Sequence, residues 1–288
     1  MKLASRHTLL CPLDGHPLVR TTRQFLCPLG HNFDRARQGY INLLPVQSKK
    51  SKSPGDSPEM VAARRLFLQT GGYDRIASTL IDLVSASLPA STASVSILDA
   101  GCGEGFYLGR LASHLSLLGG VGEAHLVGVD ISKPAIIAAA KRYREIDWVV
   151  ASNHQGLVPD HSLDTVLCLF GFPCFERFKE ALKAGGTMIL VDAGPDHLIE
   201  LRRLIYPSVR YKPLPCIAEA ISLGFELAKT QTLRYPLHLS SQESIDSLML
   251  MTPHFFKASR IGRQAITNLG HLTVTVDVRF RQLSIEDK

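Results

Sequence analysis

The stretch that most constrains this chain is Val95-Ser96-Ile97-Leu98-Asp99-Ala100-Gly101-Cys102-Gly103-Glu104-Gly105-Phe106-Tyr107. An apolar run ends in Asp99, glycines alternate at 101, 103 and 105, and a helical pattern continues from Leu108. That order predicts a buried parallel strand, a tight turn free of Cβ atoms, and a helix whose N-terminus faces a ligand. Leu126-Val127-Gly128-Val129-Asp130 adds a second apolar strand closed by a carboxylate. It follows about 25 residues later, near the spacing that sets an acid against a ribose.

Two nucleotide ligands compete for such a turn. A dinucleotide site uses G-x-G-x-x-G, with pyrophosphate on the helix N-terminus. Here the glycines run G-x-G-x-G, Phe106 and Tyr107 follow, and the strand already carries Asp99. S-adenosylmethionine has no phosphate, so its turn needs only close backbone approach and a carboxylate for the ribose hydroxyls. The form running from Asp99 through Gly101, Gly103 and Gly105 resembles motif I of the class I methyltransferases, with Asp130 in the ribose-binding place. A strand–turn–helix without a ligand is the bland alternative.

The following segments extend an α/β reading. Trp148–Ala151 reads as a third strand, ending in Ser152, Asn153 and His154 where an adenine ring lies in this fold; Asn153 is the candidate contact. Leu163–Leu169 reads as a fourth strand, and Phe170, Phe172 and Phe175 in the next loop are placed to stack an extruded base. Pro173-Cys174 in the same loop resembles the nucleophile turn of C5-cytosine methyltransferases, which opens a covalent alternative. Strand five ends at Asp192, and a helix from Pro195 places Leu198, Leu201 and Leu204 on one face. Phe225–Leu233 and Leu272–Phe280 predict a β-hairpin split by an insertion whose Met/Phe tract belongs to the core. The fold class is thus α/β, a class I (Rossmann-like) methyltransferase with a seven-stranded, mostly parallel sheet.

Charge is concentrated at the front. Residues 1–75 hold 12 Lys and Arg against 5 Asp and Glu, whereas the remainder holds 20 against 21. A segment of +7 ahead of a catalytic domain favours a polyanion, and RNA leads. Within it, Cys11-Pro12-Leu13-Asp14-Gly15 and Cys27-Pro28-Leu29-Gly30-His31 flank a short strand within Thr21–Leu26, the layout of a zinc ribbon. Cys11, Cys27 and His31 are the good ligands; Asp14 stands in the fourth place, with His16 close enough to substitute. The domains expected are a zinc-ribbon-like module at 1–44, a basic linker at 45–58 that is solvated and orders on RNA, and a methyltransferase domain at 59–288. Ser57 and Pro58 start a helix with Met60, Ala63, Phe67 and Leu68 on its apolar face. The six scattered cysteines suit reduced thiols rather than a disulfide framework. With neither a membrane-length apolar run nor a signal-peptide pattern at the start, the expectation is a cytoplasmic protein without a membrane partner.

At this point the chain resembles the RlmA family, bacterial methyltransferases acting on guanine N1 of 23S rRNA. Cys11-Pro12-Leu13, Cys27 to His31, Gly39 to Gln47, Pro54 to Ser57, Ala63-Arg64-Arg65, Leu98 to Gly105, Ala138 to Tyr143 and Gly194 to Leu198 carry the resemblance. It implies a zinc ribbon before a class I domain, a 23S rRNA partner and often a homodimer. By motif match it implies that Tyr73, Tyr107, Leu108 and His197 contact S-adenosylmethionine and that Cys11, Cys27 and His31 bind zinc. Asp14 departs from the family's cysteine and leaves the metal open. The function expected is transfer of a methyl group from S-adenosylmethionine to guanine N1, with no general base identified. A C5-pyrimidine methyltransferase using Cys174, a small-molecule methyltransferase and a non-catalytic RNA-binding protein are the alternatives.

Overall fold

The computed structural model describes residues 8–48, 51–89, 92–118, 121–211 and 213–285. Lys49 and Lys50 of the expected linker, and Lys2 and Arg6 of the basic front segment, lie outside the described residues.

The front module is a three-stranded antiparallel sheet of β1 (Val19–Arg20), β2 (Gln24–Leu26) and β3 (Asn32–Asp34). Its two knuckles close on glycines: Gly15 donates to the Cys11 carbonyl at 2.9 Å and Gly30 to the Cys27 carbonyl at 3.0 Å. Both glycines adopt positive φ, +76° and +91°, which an L side chain resists.

The second sheet has eight strands in the order β10-β11-β9-β8-β5-β6-β7-β4. Its parallel centre is β5 (Thr92–Ala100), β6 (Val121–Asp130), β7 (Asp147–Val150), β8 (Leu163–Leu169) and β9 (Leu182–Ala193). These strands are mostly apolar in their centres because helices or the ribbon cover both faces. The expected seven-stranded sheet is present, and the front module adds an eighth strand. This is β4 (Ile41–Asn42), which pairs parallel with Val149 and Val150. β10 (Phe225–Leu239) and β11 (Leu272–Ile285) are the expected hairpin, longer than the alternation suggests, with β11 antiparallel to β9.

One face carries α1 (Pro58–Gln69), α2 (Asp74–Ser87), α3 (Phe106–Leu115) and α4 (Lys133–Arg142). Ser57 caps α1 by accepting from the Met60 N–H at 3.3 Å. Val61, rather than Met60, joins Ala63, Phe67 and Leu68 on its buried side. The other face carries α5 (Phe175–Ala181) and the front module. The crossover from β7 to β8, residues 151–162, runs as turns instead of a helix. Leu9, Leu18, Phe25, Ile41 and Leu43 pack there against Val127, Val149 and Leu157, and Leu10 donates to the Leu157 carbonyl at 2.8 Å. The ribbon does the work of a crossover helix.

Beyond β9 come α6 (Ile199–Ile205) and α7 (Ala218–Ser222), and α8 (Gln242–Leu250), α9 (His254–Lys257) and α10 (Arg260–Ala265) fill the insertion in the hairpin. On α6 the buried side is Ile199, Leu201 and Ile205, with Leu204 turned outward. In the insertion Met249 and Met251 are buried as expected, whereas Phe256 is exposed. Among the described residues no helix is long and apolar enough to cross a membrane. The second half of the expected linker is docked rather than solvated. Gly55, at φ +81°, lies so close to the α4 N-cap that a Cβ would stand 2.7 Å from Ser132 Cβ, and Ser132 Oγ donates to the Asp56 carbonyl at 2.8 Å.

Candidate functional site

The glycine turn follows β5 without interruption, and α3 begins at Phe106, two residues earlier than the apolar pattern suggests. Gly101, Gly103 and Gly105 all have positive φ, but they serve different ends. A Cβ on Gly105 would stand 2.5 Å from the Trp148 ring, so this glycine lets helix meet strand. A Cβ on Gly101 would meet nothing within 4 Å. Gly101 therefore borders open space at the carboxyl end of the sheet.

Asp130 anchors the turn: its carboxylate accepts from the Gly103 N–H at 2.9 Å and the Ser132 N–H at 2.7 Å. Burial raises its pKa, and those two N–H groups oppose the rise. Asp99 has no such help. It is buried and neither carboxylate oxygen has a hydrogen-bond partner. Burial, then the charge of Asp130, pushes its pKa up to about 8. An orphaned buried carboxyl beside open space is costly unless a donor group or a cation comes to it. The site fits a cationic ligand bearing ribose hydroxyls, which is the chemistry of S-adenosylmethionine.

Above the turn, Tyr73 Oη and His197 Nε2 lie 3.2 Å apart. The Asp277 backbone N–H donates to His197 Nδ1 at 3.3 Å, which puts the ring proton on Nε2, pointing at Tyr73. Burial lowers the His197 pKa to about 4, so the ring is neutral near pH 7. The Asp277 carboxylate in turn holds the turn before α6 by accepting from Asp196 N–H at 3.0 Å. Phe170 completes the group, stacked with Tyr73 at 6.5 Å between centroids. Its backbone sits at φ +52° and its side chain is 41% exposed. A bulky residue held in that region marks a functional constraint. Phe172 is exposed, whereas Phe175 is core and takes no part. Tyr107 is half-buried beside this group, and burial raises its pKa. Leu108 is wholly buried, so only its backbone can face a ligand. Asn153 donates to the Phe172 carbonyl at 3.2 Å, tying the end of β7 to the aromatic loop. Cys174 is half-buried at the start of α5, and burial pushes Cys168 up to about 12.

The second cluster lies in the ribbon. One ligand atom from each of Cys11, Asp14, Cys27 and His31 falls within 4.8 Å of all the others. His31 Nδ1 is 2.8 Å from Asp14 Oδ2, and Cys27 Sγ is 3.1 Å from the same oxygen. The Asp14 carboxyl is held well below the usual carboxylate range, first by the His16 N–H and then by Cys27. Two thiols, an imidazole and an ionised carboxylate converging on one point fit a tetrahedral divalent metal such as zinc. His16 contacts Asp14 from outside the cluster, so Asp14 and not His16 fills the fourth place.

A basic groove of about 510 Å³ opens between the ribbon's last turn and the end of α4, lined by Arg35, Arg37, Gln38, Gly39, Lys141 and Arg144. Sequence reasoning missed it because its two halves lie about a hundred residues apart. It also gave no sign that Arg64 reaches the glycine turn. An arginine on a helix otherwise read for its apolar face gives no signal of where its guanidinium ends.

Comparison with known proteins supplies the rest. Residues 9–52 match the model of the RlmA N-terminal zinc ribbon, and residues 97–205 match a methyltransferase domain model. The chain is 31% identical over 278 residues to a Bacillus subtilis protein provisionally named a 23S rRNA (guanine-N1)-methyltransferase, covering 93% of this chain and 94% of that one. It is 31% identical over 280 residues to the 23S rRNA (guanine(748)-N1)-methyltransferase of Streptomyces fradiae, covering 94% and 95%.

Proposed function

We infer the reaction from the family to which this chain belongs, the RlmA-type 23S rRNA (guanine-N1)-methyltransferases. The protein is an S-adenosylmethionine-dependent rRNA methyltransferase that methylates guanine N1. The observation that carries the reading is Asp99, a buried carboxyl without a hydrogen-bond partner, two residues before Gly101, whose Cβ position is open.

When bound, the donor supplies a methyl group on a sulfonium sulfur. Asp99 and Asp130 supply the negative charge and the ribose acceptors, Gly101, Gly103 and Gly105 let the backbone approach, and Asn153 closes the adenine end. Tyr107, the Leu108 backbone and the Tyr73–His197 pair cover the donor. His197 orients the Tyr73 hydroxyl rather than taking a proton, because its acceptor nitrogen is occupied by the Asp277 N–H. Phe170 stacks the extruded guanine over the sheet's carboxyl end. In-line attack by N1 forms the N–C bond and breaks the S–C bond, leaving S-adenosylhomocysteine, while the N1 proton passes to water, and positioning carries the step.

The substrate is 23S rRNA, docked by the basic front segment and the four-cation groove. Zinc is the metal for Cys11, Asp14, Cys27 and His31, where it fixes the ribbon rather than taking part in transfer. We take 1–44 as the ribbon, 45–58 as the linker and 59–288 as the catalytic domain, in a cytoplasmic protein that pairs as a homodimer. Nucleoside mass spectrometry of 23S rRNA from cells with and without the gene tests the reading. Loss of 1-methylguanosine supports it; loss of a 5-methylpyrimidine instead transfers the chemistry to Cys174.

A further inference from the structure

Arg64 reaches the glycine turn from α1. Its Nη1 lies 3.2 Å from where a Cβ on Gly103 would stand, and 2.5 Å from Asp56 Oδ2. Its Nη2 donates to the Met251 carbonyl at 3.2 Å. Asp56 is itself fixed, since its carbonyl accepts from Ser132 Oγ and its neighbour Gly55 is packed against the α4 N-cap. Two acceptors thus hold the guanidinium in place from opposite sides, and with five N–H donors it retains others. Its positive charge acts on Tyr73, Tyr107, Glu104 and Asp130 at once, which places it centrally among the donor-site groups.

Once the donor is bound and Asp99 has given up its proton, Asp99 and Asp130 make the site acidic, which suits a sulfonium, an ammonium and ribose hydroxyls. The same acidity repels the fourth polar group of the donor, its carboxylate, unless a cation meets it. Arg64 and Arg142 both pair with a carboxylate, Asp56 and Glu104, but of the two only Arg64 lies against the glycine turn, 3.2 Å from the Cβ position of Gly103. We infer that Arg64 binds the α-carboxylate of the methyl donor, with the docked Gly55–Asp56 strap and the Met251 carbonyl holding its guanidinium in position. Arg64 is then a binding residue that links the linker, α1 and the hairpin insertion to donor recognition. The inference rests on the donor site proposed above.

The test is calorimetric titration of the full chain with S-adenosylmethionine and with its decarboxylated analogue, which keeps the sulfonium, the amine and the adenosine. A charged hydrogen-bonded pair predicts that the wild type binds the carboxylated donor about 10- to 100-fold more tightly. R64Q loses that preference, its affinity for the carboxylated donor falling to near that for the analogue, which changes little. R64K keeps a part of it, a point charge replacing a fork. An R64Q protein that discriminates as the wild type does overturns the inference. If R64Q does not fold, R64K decides, and undiminished discrimination in R64K overturns it. A wild type that binds neither compound rejects the donor site itself, a separate result from the loss of Arg64's role.

Discussion

The two clusters of chemically active side chains in this molecule are held by opposite means. In the ribbon, Cys11, Asp14, Cys27 and His31 converge on one another at the ends of short turns, around a strand pair of two and three residues. In the proposed donor site, Asp99 and Asp130 sit at or near the ends of nine- and ten-residue strands of the main sheet, and neither oxygen of Asp99 has a hydrogen-bond partner. The first arrangement gains order from its ligand. The second is set by the sheet and carries an unmet electrostatic cost until its ligand arrives. On the proposed reading, the difference separates where each ligand acts, the metal on folding and the methyl donor on chemistry.

Removing the metal breaks the comparison most forcefully. At free metal near a thousand times Kd, binding contributes about 4 kcal/mol, so chelation is expected to lower the Tm by roughly 10 °C in a chain of this size. Calorimetry with and without chelator measures it. Because the ribbon covers Val127, Val149 and Leu157, the loss should reach the catalytic sheet and not stay local.

The glycines sharpen it next. Gly105→Ala drives a methyl into Trp148 and is expected to cost about 3 kcal/mol of stability. Gly101→Ala has room, so it costs about 1 kcal/mol for its φ of +88°, yet it fills the donor's space and should abolish donor binding. Denaturation and titration of both variants separate the two outcomes.

Asp99 gives a pH signature. Its pKa is raised from 3.8 to about 8, so the folded chain holds the proton more tightly. The stability it contributes is complete below about pH 4 and is lost as pH rises toward 8. His197, lowered from 6.5 to about 4, acts in reverse, its loss coming as pH falls through that window. Between pH 6.5 and 8 only Asp99 of this pair still titrates, and Asp99→Asn should flatten that part of the stability curve. Donor binding near pH 7 should release up to about one proton in the wild type and none in the variant, read from the buffer dependence of the binding heat.

The smallest effect belongs to Tyr73→Phe, which removes one hydrogen bond to His197 and keeps the packing. About 1 kcal/mol of donor affinity is expected to go, a fivefold change in Kd.

Much of this was legible in the residues, and the reasons are local. The glycine turn, the strand Leu163–Leu169 and the Ser57 cap follow from periodicity and turn chemistry, and all three lie where the sequence puts them. Asp14 joins Cys11, Cys27 and His31 in one cluster, as the facing of the two knuckles in the sequence suggests. What escaped depends on contacts across the chain. β4 is two residues long and joins the main sheet only through the edge that β7 offers. The strap at 54–57 reads as polar linker until Ser132 is found against it, and Arg64's position is fixed by Met251, nearly two hundred residues away. The left-handed backbone at Phe170 has no sequence mark.

The most direct test of the account is to incubate the purified protein with unmodified 23S rRNA and S-adenosylmethionine carrying a carbon-13 methyl group, then digest the RNA and locate the label by mass spectrometry. The account predicts label on N1 of guanine, lost in Asp99→Asn. Label on a pyrimidine C5, or none on the RNA while the protein binds the donor, contradicts it.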